Sequence, residues 1–221
     1  MRSQAVTEGH QARGLLGGAF DPVHIGHLCG AMAVRDALGL DRVDLIPAAQ
    51  SPLKDHSAVS AAHRHEMLRL AITDVPGLGI DARELDRSGP SFSVDTLVAI
   101  RGEADANCPL LWIMGTDILP TLPRWSRWDQ ILDLAHVVLL DRPGAEAPAE
   151  PVSAWLERHL VSPEWALRHP AGGIVRLHQP LLDISSSRIR HLFETGRDPR
   201  FLIPTPVMEY IATHGLFTPA L

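Results

Sequence analysis

Cysteine is scarce in this chain. Two residues, Cys29 and Cys108, stand far apart among 221 and lack metal-ligand spacing. That excludes a disulfide framework and a cysteine-based zinc site, and the pair reads as two buried thiols in a reducing, cytoplasmic setting. Basic charge is also short. Twenty Lys and Arg against 26 Asp and Glu leave a formal charge of −6, so the chain has no electrostatic footprint for nucleic acid. No apolar run approaches the length of a membrane span, and the N-terminus has no signal-peptide core. Internal repeats and low-complexity tracts are missing as well. So are the Gly-x-Gly-x-x-Gly dinucleotide fingerprint and the Walker Gly-Lys-Ser/Thr. The partner left by these exclusions is a small molecule.

What is present suits one large α/β domain, since 45% of the residues are hydrophobic and the length permits a sizeable core. Short apolar segments predict strands over Arg13–Gly18, Arg42–Pro47, Leu78–Ala82, Leu110–Met114, His136–Asp141 and Gly173–Leu177. Helical patterns fall between and after them, at about 26–39, 60–73, 93–102, 127–134, 151–159, 186–195 and 205–214. That alternation predicts a Rossmann-like parallel sheet with helices on both faces and a small helical C-terminal portion, about 184–217. Leu110–Met114 and Val137–Leu140 are apolar throughout, as strands covered on both faces must be. Residues 1–12, polar and aperiodic, read as a frayed extension preceding a single domain over 13–217. Pro143–Pro151 reads as a surface loop.

The most informative string is Gly17-Gly18-Ala19-Phe20-Asp21-Pro22-Val23-His24-Ile25-Gly26-His27, between a strand and a helix. Glycines let the backbone approach a ligand, and the helix N-terminus beyond offers N–H groups and a positive dipole end. Two histidines add side-chain donors. His24 and His27 could also form a zinc pair, or merely cap the helix, but the dense glycine and turn residues around them favour a polyphosphate cradle. In an open parallel sheet this junction lies where ligands bind, at the C-terminal strand ends.

The same string resembles the first signature of the His-x-Gly-His nucleotidyltransferases. Within that superfamily the chain resembles bacterial nicotinate-nucleotide adenylyltransferases. Ile184-Ser185-Ser186-Ser187-Arg188-Ile189-Arg190 resembles the second signature. Ile46–Lys54, Ser91–Leu97, Gly115-Thr116-Asp117, Leu122–Trp128 and Tyr210–Phe217 resemble intervening family segments, so the likeness spans about residues 13–217.

The resemblance implies a nucleotidyltransferase fold and attack by the phosphate of nicotinate mononucleotide on the α-phosphorus of ATP. The products would be nicotinate adenine dinucleotide and pyrophosphate. It implies catalytic roles for His24, His27 and Arg190. It implies ATP contacts from Gly17, Gly18, Ala19, Phe20, His24, His27, Gly115, Asp117, Ser186, Ser187 and Arg190. Mononucleotide contacts fall to Lys54, Phe92, Ser93 and Trp125, with Trp125 stacking on the pyridine ring; Trp128 is expected in the core. Mg²⁺ is expected with ATP and no dedicated protein metal site. The expected partners are ATP and nicotinate mononucleotide, without nucleic acid or membrane; a homo-oligomer stays open.

The chain departs from the family pattern at two places. Pro-Pro-His-Lys becomes Ser51-Pro52-Leu53-Lys54, and Ser-Tyr-Thr becomes Ser91-Phe92-Ser93. Both touch the pyridine side, so nicotinamide mononucleotide or phosphopantetheine stay open as acceptors. A nucleotide-binding sensor without catalysis is the reading from another class. Ser51, Asp55, His56 and Ser57 mark the 50–60 loop as a candidate lid.

Overall fold

Six apolar segments become six parallel strands. They are β1 (Arg13–Gly18), β2 (Val43–Pro47), β3 (Leu78–Ile80), β4 (Leu110–Gly115), β5 (His136–Leu140) and β6 (Ile174–Leu177). The computed structural model describes residues 11–50, 57–87, 89–141, 146–178 and 182–217. The strand order is β3-β2-β1-β4-β5-β6, and every neighbouring pair is parallel. Chain connections therefore run outward from β1 on one side and from β4 on the other, so the switch point lies between these two strands.

Helices α1 (Ile25–Leu38), α2 (Ala61–Ile72), α3 (Ser93–Glu103), α4 (Ile131–Leu134), α5 (Val152–His159), α6 (Pro163–Ala166), α7 (Ser186–Glu194) and α8 (Thr205–Thr213) complete the frame. The period-two alternation of the strands divides the core. Val43, Leu45, Leu111, Ile113, Val138 and Leu140 face a cluster with α1, α2, α7 and α8. Leu15, Ile46, Leu110, Trp112, Met114, Val137 and Leu139 face a second cluster with α3, α4 and α5. Covering both faces buries all five residues of β2 and β5, which is why these strands are mainly apolar, with Asp44 paired to Arg13 and Arg42 and His136 hydrogen-bonded.

Most expected elements stand within two residues of their predicted ends, with four differences. The helix expected at 127–134 is a 3₁₀ turn, Trp128–Gln130, followed by the short α4. A nine-residue 3₁₀ stretch, Thr116–Arg124, was not anticipated; Pro120 and Pro123 lie inside it and remove donors that an α-helix would need. The one-turn α6 is too short to show periodicity. Cys29 is exposed, not buried; Cys108 is buried. The buried positions of α1 are Gly30, Ala31, Val34 and Leu38, and Cys29 falls outside that stripe. Residues 1–10 of the expected extension lie outside the described residues. Gln11 hydrogen-bonds to Asp41, and Ala12 packs against the core. No helix among the described residues is long and apolar enough to cross a membrane.

His136 begins β5 with no exposed surface. Its Nδ1 accepts the Gly173 N–H at 3.0 Å, and its Nε2 donates to the His169 carbonyl at 2.7 Å. A protonated ring would set donor against donor at Nδ1, and burial lowers the ring's affinity for a proton below the ordinary 6.5. The unfolded chain therefore takes up the proton first as pH falls through about 6.5, and stability drops from there down through the depressed folded value. His136→Gln should lose less stability than wild type between about pH 7.5 and pH 5.5. Urea denaturation at the two pH values checks this; equal losses would exclude His136 as a contributor.

Candidate active site

The first motif turns from strand to helix by an unusual cap. His24, 1% exposed, is the N-cap of α1 with extended backbone. Its Nδ1 accepts the His27 N–H at 3.3 Å, and the His27 Nδ1 accepts the His24 N–H at 3.3 Å. This is a capping box written in imidazole instead of hydroxyl and carboxylate. The rings stack with centroids 3.6 Å apart, and Phe20 meets His27 edge-on at 4.9 Å. Since each Nδ1 accepts in the cap, a neutral ring carries its proton on Nε2.

Two glycines make room for that arrangement. A Cβ on Gly17 would lie 2.7 Å from the Trp112 indole, and one on Gly26 would lie 3.1 Å from the His24 Nδ1. Neither glycine has positive φ; the requirement is close approach, not backbone conformation.

The second motif comes to the first. Ser185 caps α7 by accepting the Arg188 N–H at 3.2 Å. Ser186 Oγ donates to the Pro22 carbonyl at 2.9 Å, and Arg190 Nη1 donates to the Asp21 carbonyl at 2.6 Å. Segments more than 160 residues apart thus lie side by side, with the N-termini of α1 and α7 opening on one cleft.

That cleft, about 540 Å³, lies at the C-terminal ends of β1 and β4, a volume suited to a small-molecule site. Gly17, Gly18, Ala19, His24 and His27 form one wall with Ser185, Ser186 and Ser187. Trp112, Met114, Gly115 and Asp117 continue across the β4 end. Ser91, Phe92, Ser93, Arg124 and Trp125 form the opposite side. The buried Trp125 Nε1 has no hydrogen-bond partner among the described residues.

The cleft therefore gathers Gly17, Gly18, Ala19, His24, His27, Phe92, Ser93, Gly115, Asp117, Trp125, Ser186 and Ser187 from the expected set. Phe20 and Arg190 stand behind its wall. The Phe20 ring is buried, 1% exposed, and Arg190 also donates to Ser187 Oγ at 3.2 Å. Lys54, with the rest of 51–56, lies outside the described residues. So does most of the expected 50–60 lid. Trp128, expected in the core, is only partly buried: it packs edge-on against Trp155 with centroids 5.4 Å apart, at the margin of the second core cluster. Among the described residues no group of three or more His, Cys, Asp or Glu could hold a metal ion.

Comparison with known proteins agrees with this geometry. The cytidylyltransferase-like family model matches residues 15–192. A Pseudomonas fluorescens protein named "probable nicotinate-nucleotide adenylyltransferase" is 42% identical over 205 residues, covering 92% of this chain and 96% of its own. A protein of the same name from Aeromonas salmonicida is 44% identical over 207 residues, covering 92% and 96%. The chain belongs to the nicotinate-nucleotide adenylyltransferase family. Its fold is similar to that of Plasmodium falciparum nicotinic acid mononucleotide adenylyltransferase complexed with NaAD. That likeness has a TM-score of 0.72 at 17% identity, over 94% of this chain and 98% of the other.

For a member of the nicotinate-nucleotide adenylyltransferase family, the structure adds residues that motif reading passed over. Glu84 lines the cleft and is 4% exposed. Thr96 Oγ1 donates to it at 2.6 Å. Burial pushes its carboxyl up, opposed by hydroxyl donation from Thr96 and Ser91 and by the nearby Arg87 charge. Ser91 Oγ in turn accepts the Ala49 N–H at 3.0 Å. Glu84 precedes a matched segment by only a few residues, but a lone glutamate in a charged stretch reads as solvated surface. Arg64 is the second, and lies buried behind the cleft.

Gly17→Ala should cost about 1–3 kcal/mol, because the added methyl overpacks against a buried indole. The shift of the urea midpoint at unchanged slope measures it; a neutral substitution would show that Trp112 yields freely.

Proposed function

We infer that this protein transfers the adenylyl group of ATP to nicotinate mononucleotide, releasing pyrophosphate and forming nicotinate adenine dinucleotide. The observation that carries this reading is the union of the two signatures. Imidazole donors at one helix N-terminus and serines at another face a single cleft whose far side holds an indole and hydroxyls.

In this reaction a phosphate oxygen of the mononucleotide forms a bond to the α-phosphorus. The bond from that phosphorus to the bridging oxygen breaks, and its electron pair leaves on pyrophosphate. The nucleophile is already an anion, so no side chain has to remove a proton. The work left to the protein is alignment and charge stabilisation. The Nε2–H groups of His24 and His27 would donate to ATP phosphate oxygens as charge grows on them. The first N–H groups of α7, with Ser186 and Ser187, would hold the departing phosphates. Arg190 supplies positive charge just behind the serines and fixes the start of α7 on Asp21. Asp117 and Gly115, at the end of β4, would receive the nucleoside portion of ATP.

On the other side, the Trp125 ring offers a face for the electron-poor pyridine. No side chain caps the N-terminus of α3. It begins at Ser93 and opens at the cleft, so its N–H groups and the Ser93 hydroxyl suit the nicotinate carboxylate. Lys54 would attract the mononucleotide phosphate. Magnesium enters this reading as the magnesium complex of ATP, held by phosphate oxygens and water. It would neutralise phosphate charge.

Incubating the protein with magnesium, ATP and each of nicotinate mononucleotide, nicotinamide mononucleotide and phosphopantetheine tests the reading by product chromatography. Nicotinate adenine dinucleotide should dominate; ATP binding with no product would support the sensor instead. His24→Ala should lower kcat by about 10²–10³, the usual loss of one preorganised transition-state donor. Trp125→Ala should raise KM for the mononucleotide while leaving KM for ATP nearly unchanged, and a reversed pattern in steady-state kinetics would exclude stacking on the pyridine.

A further inference from the structure

The buried stripe of α2 is Arg64, Met67, Leu68 and Ala71, so an arginine occupies the first place of an otherwise apolar face. It is 1% exposed. Its Nη1 donates to the Ala19 carbonyl at 2.8 Å and to the Ala48 carbonyl at 2.6 Å, and its Nη2 donates to the Ala49 carbonyl at 2.8 Å. The first of these carbonyls belongs to the loop leaving β1, the other two to the loop leaving β2. Asp21 is the carboxylate whose charge acts on the guanidinium, yet among the described residues none forms an ion pair with it. The Arg64 Nε has no partner among them either. Three carbonyl dipoles, and not a salt bridge, hold this cation in the core.

Those two loops serve opposite halves of the cleft. Ala19 leads through Phe20 into the His24–His27 cap. Ala49 donates to Ser91 Oγ at 3.0 Å, and Gln50 accepts the Ser91 N–H at 2.9 Å, which fixes the loop presenting Phe92 and Ser93. We propose that Arg64 is a positioning residue that sets the spacing between the ATP half and the mononucleotide half of the cleft. Through that spacing it aligns the attacking phosphate with the α-phosphorus. The proposal rests on the adenylyl-transfer reading above.

Chemistry singles out arginine for this place. Its planar fork reaches three acceptors in fixed directions, whereas a lysine ammonium is a point donor on a flexible stem. A hydrophobic residue would fill the volume without the desolvation cost of a buried charge, but would leave the Ala19, Ala48 and Ala49 carbonyls without their donor and the two loops joined at this point through the Ala48 N–H to the Gly18 carbonyl. Each half of the cleft keeps its own substrate contacts without Arg64. What is lost is their mutual placement, and a displacement near 1 Å can lower turnover about 10²-fold.

The test uses Arg64→Lys and Arg64→Met in the full chain. Calorimetry measures ATP and nicotinate mononucleotide binding separately, and steady-state kinetics follows at a temperature well below the unfolding transition. Single-substrate affinities should stay within about threefold of wild type while kcat falls by about tenfold to a hundredfold. A folded Arg64→Lys with kcat within about twofold of wild type overturns the proposal, as does a loss confined to one substrate's affinity. Lowered stability with unchanged kcat also overturns it, since that is all a purely structural arginine would show. Should neither variant fold, Ser91→Ala removes the next link. It should lower kcat several-fold with ATP affinity kept, and unchanged kcat there is equally decisive against the proposal. If the wild type adenylylates a different acceptor, the substrate reading fails, while the same comparison made with that acceptor still decides the role of Arg64.

Discussion

The reciprocal cap between His24 and His27 is the constraint on which the site depends. A helix N-terminus leaves N–H groups that must find acceptors or ligands. Here the two imidazoles take the cap through Nδ1 and so commit their remaining protons to Nε2. Fold and chemistry are thus tied in one bond pair, because the interaction that starts α1 also fixes which ring nitrogen of each histidine faces away from the cap. Gly26 leaves the room the His24 ring needs, and the β1–β4 split supplies a place where a ligand can reach both rings. An aspartate cap would start the helix equally well and offer no donor.

Electrostatics follows from the same economy. The chain is net acidic, yet its cleft suits two anionic substrates through local devices. Two helix N-termini open on one wall and a third, that of α3, opens on the other. Arg190 sits behind the serines on the Asp21 carbonyl, and Arg124 lines the rim. These partial and full charges act within the first helical turn or across a few ångströms, where screening by water and salt is weakest. Net charge therefore argues against a polyanion partner without bearing on a polyphosphate one.

Legibility in the sequence tracked the range of the interactions. Strands were readable because burial on both faces leaves short, mainly apolar runs, and one wall of the cleft because its glycines, histidines and serines sit next to the helices they cap. The 3₁₀ stretch over Thr116–Arg124 escaped, since two prolines hide its helical character. Arg64 and Glu84 escaped for another reason. Their partners are backbone carbonyls and hydroxyls brought close by the sheet, and no local pattern encodes such contacts. An arginine on the stripe shared with Met67, Leu68 and Ala71 was the one visible sign. Arg190 was singled out by its motif, but its geometry was not legible: it joins the two signatures from behind the wall through the Asp21 carbonyl.

The two halves of the cleft also differ in how freely they can change. On the side proposed for ATP, side chain and helix start are one unit, so replacing His24, His27 or Ser185 would disturb a cap worth about 1 kcal/mol as well as the lining of the cleft. On the mononucleotide side, Phe92 and Trp125 are carried on extended segments flanking helices, and Phe92 caps α3 with no side-chain bond. The departures from the family pattern that fall among the described residues, Phe92 and Ser93, lie on this second side. A lost hydroxyl or methyl there alters recognition without unfastening an element. Divergence in acceptor preference is therefore cheap in this fold and divergence in adenylyl transfer is not, because only the second would have to rebuild the end of β1 and the start of α1 together.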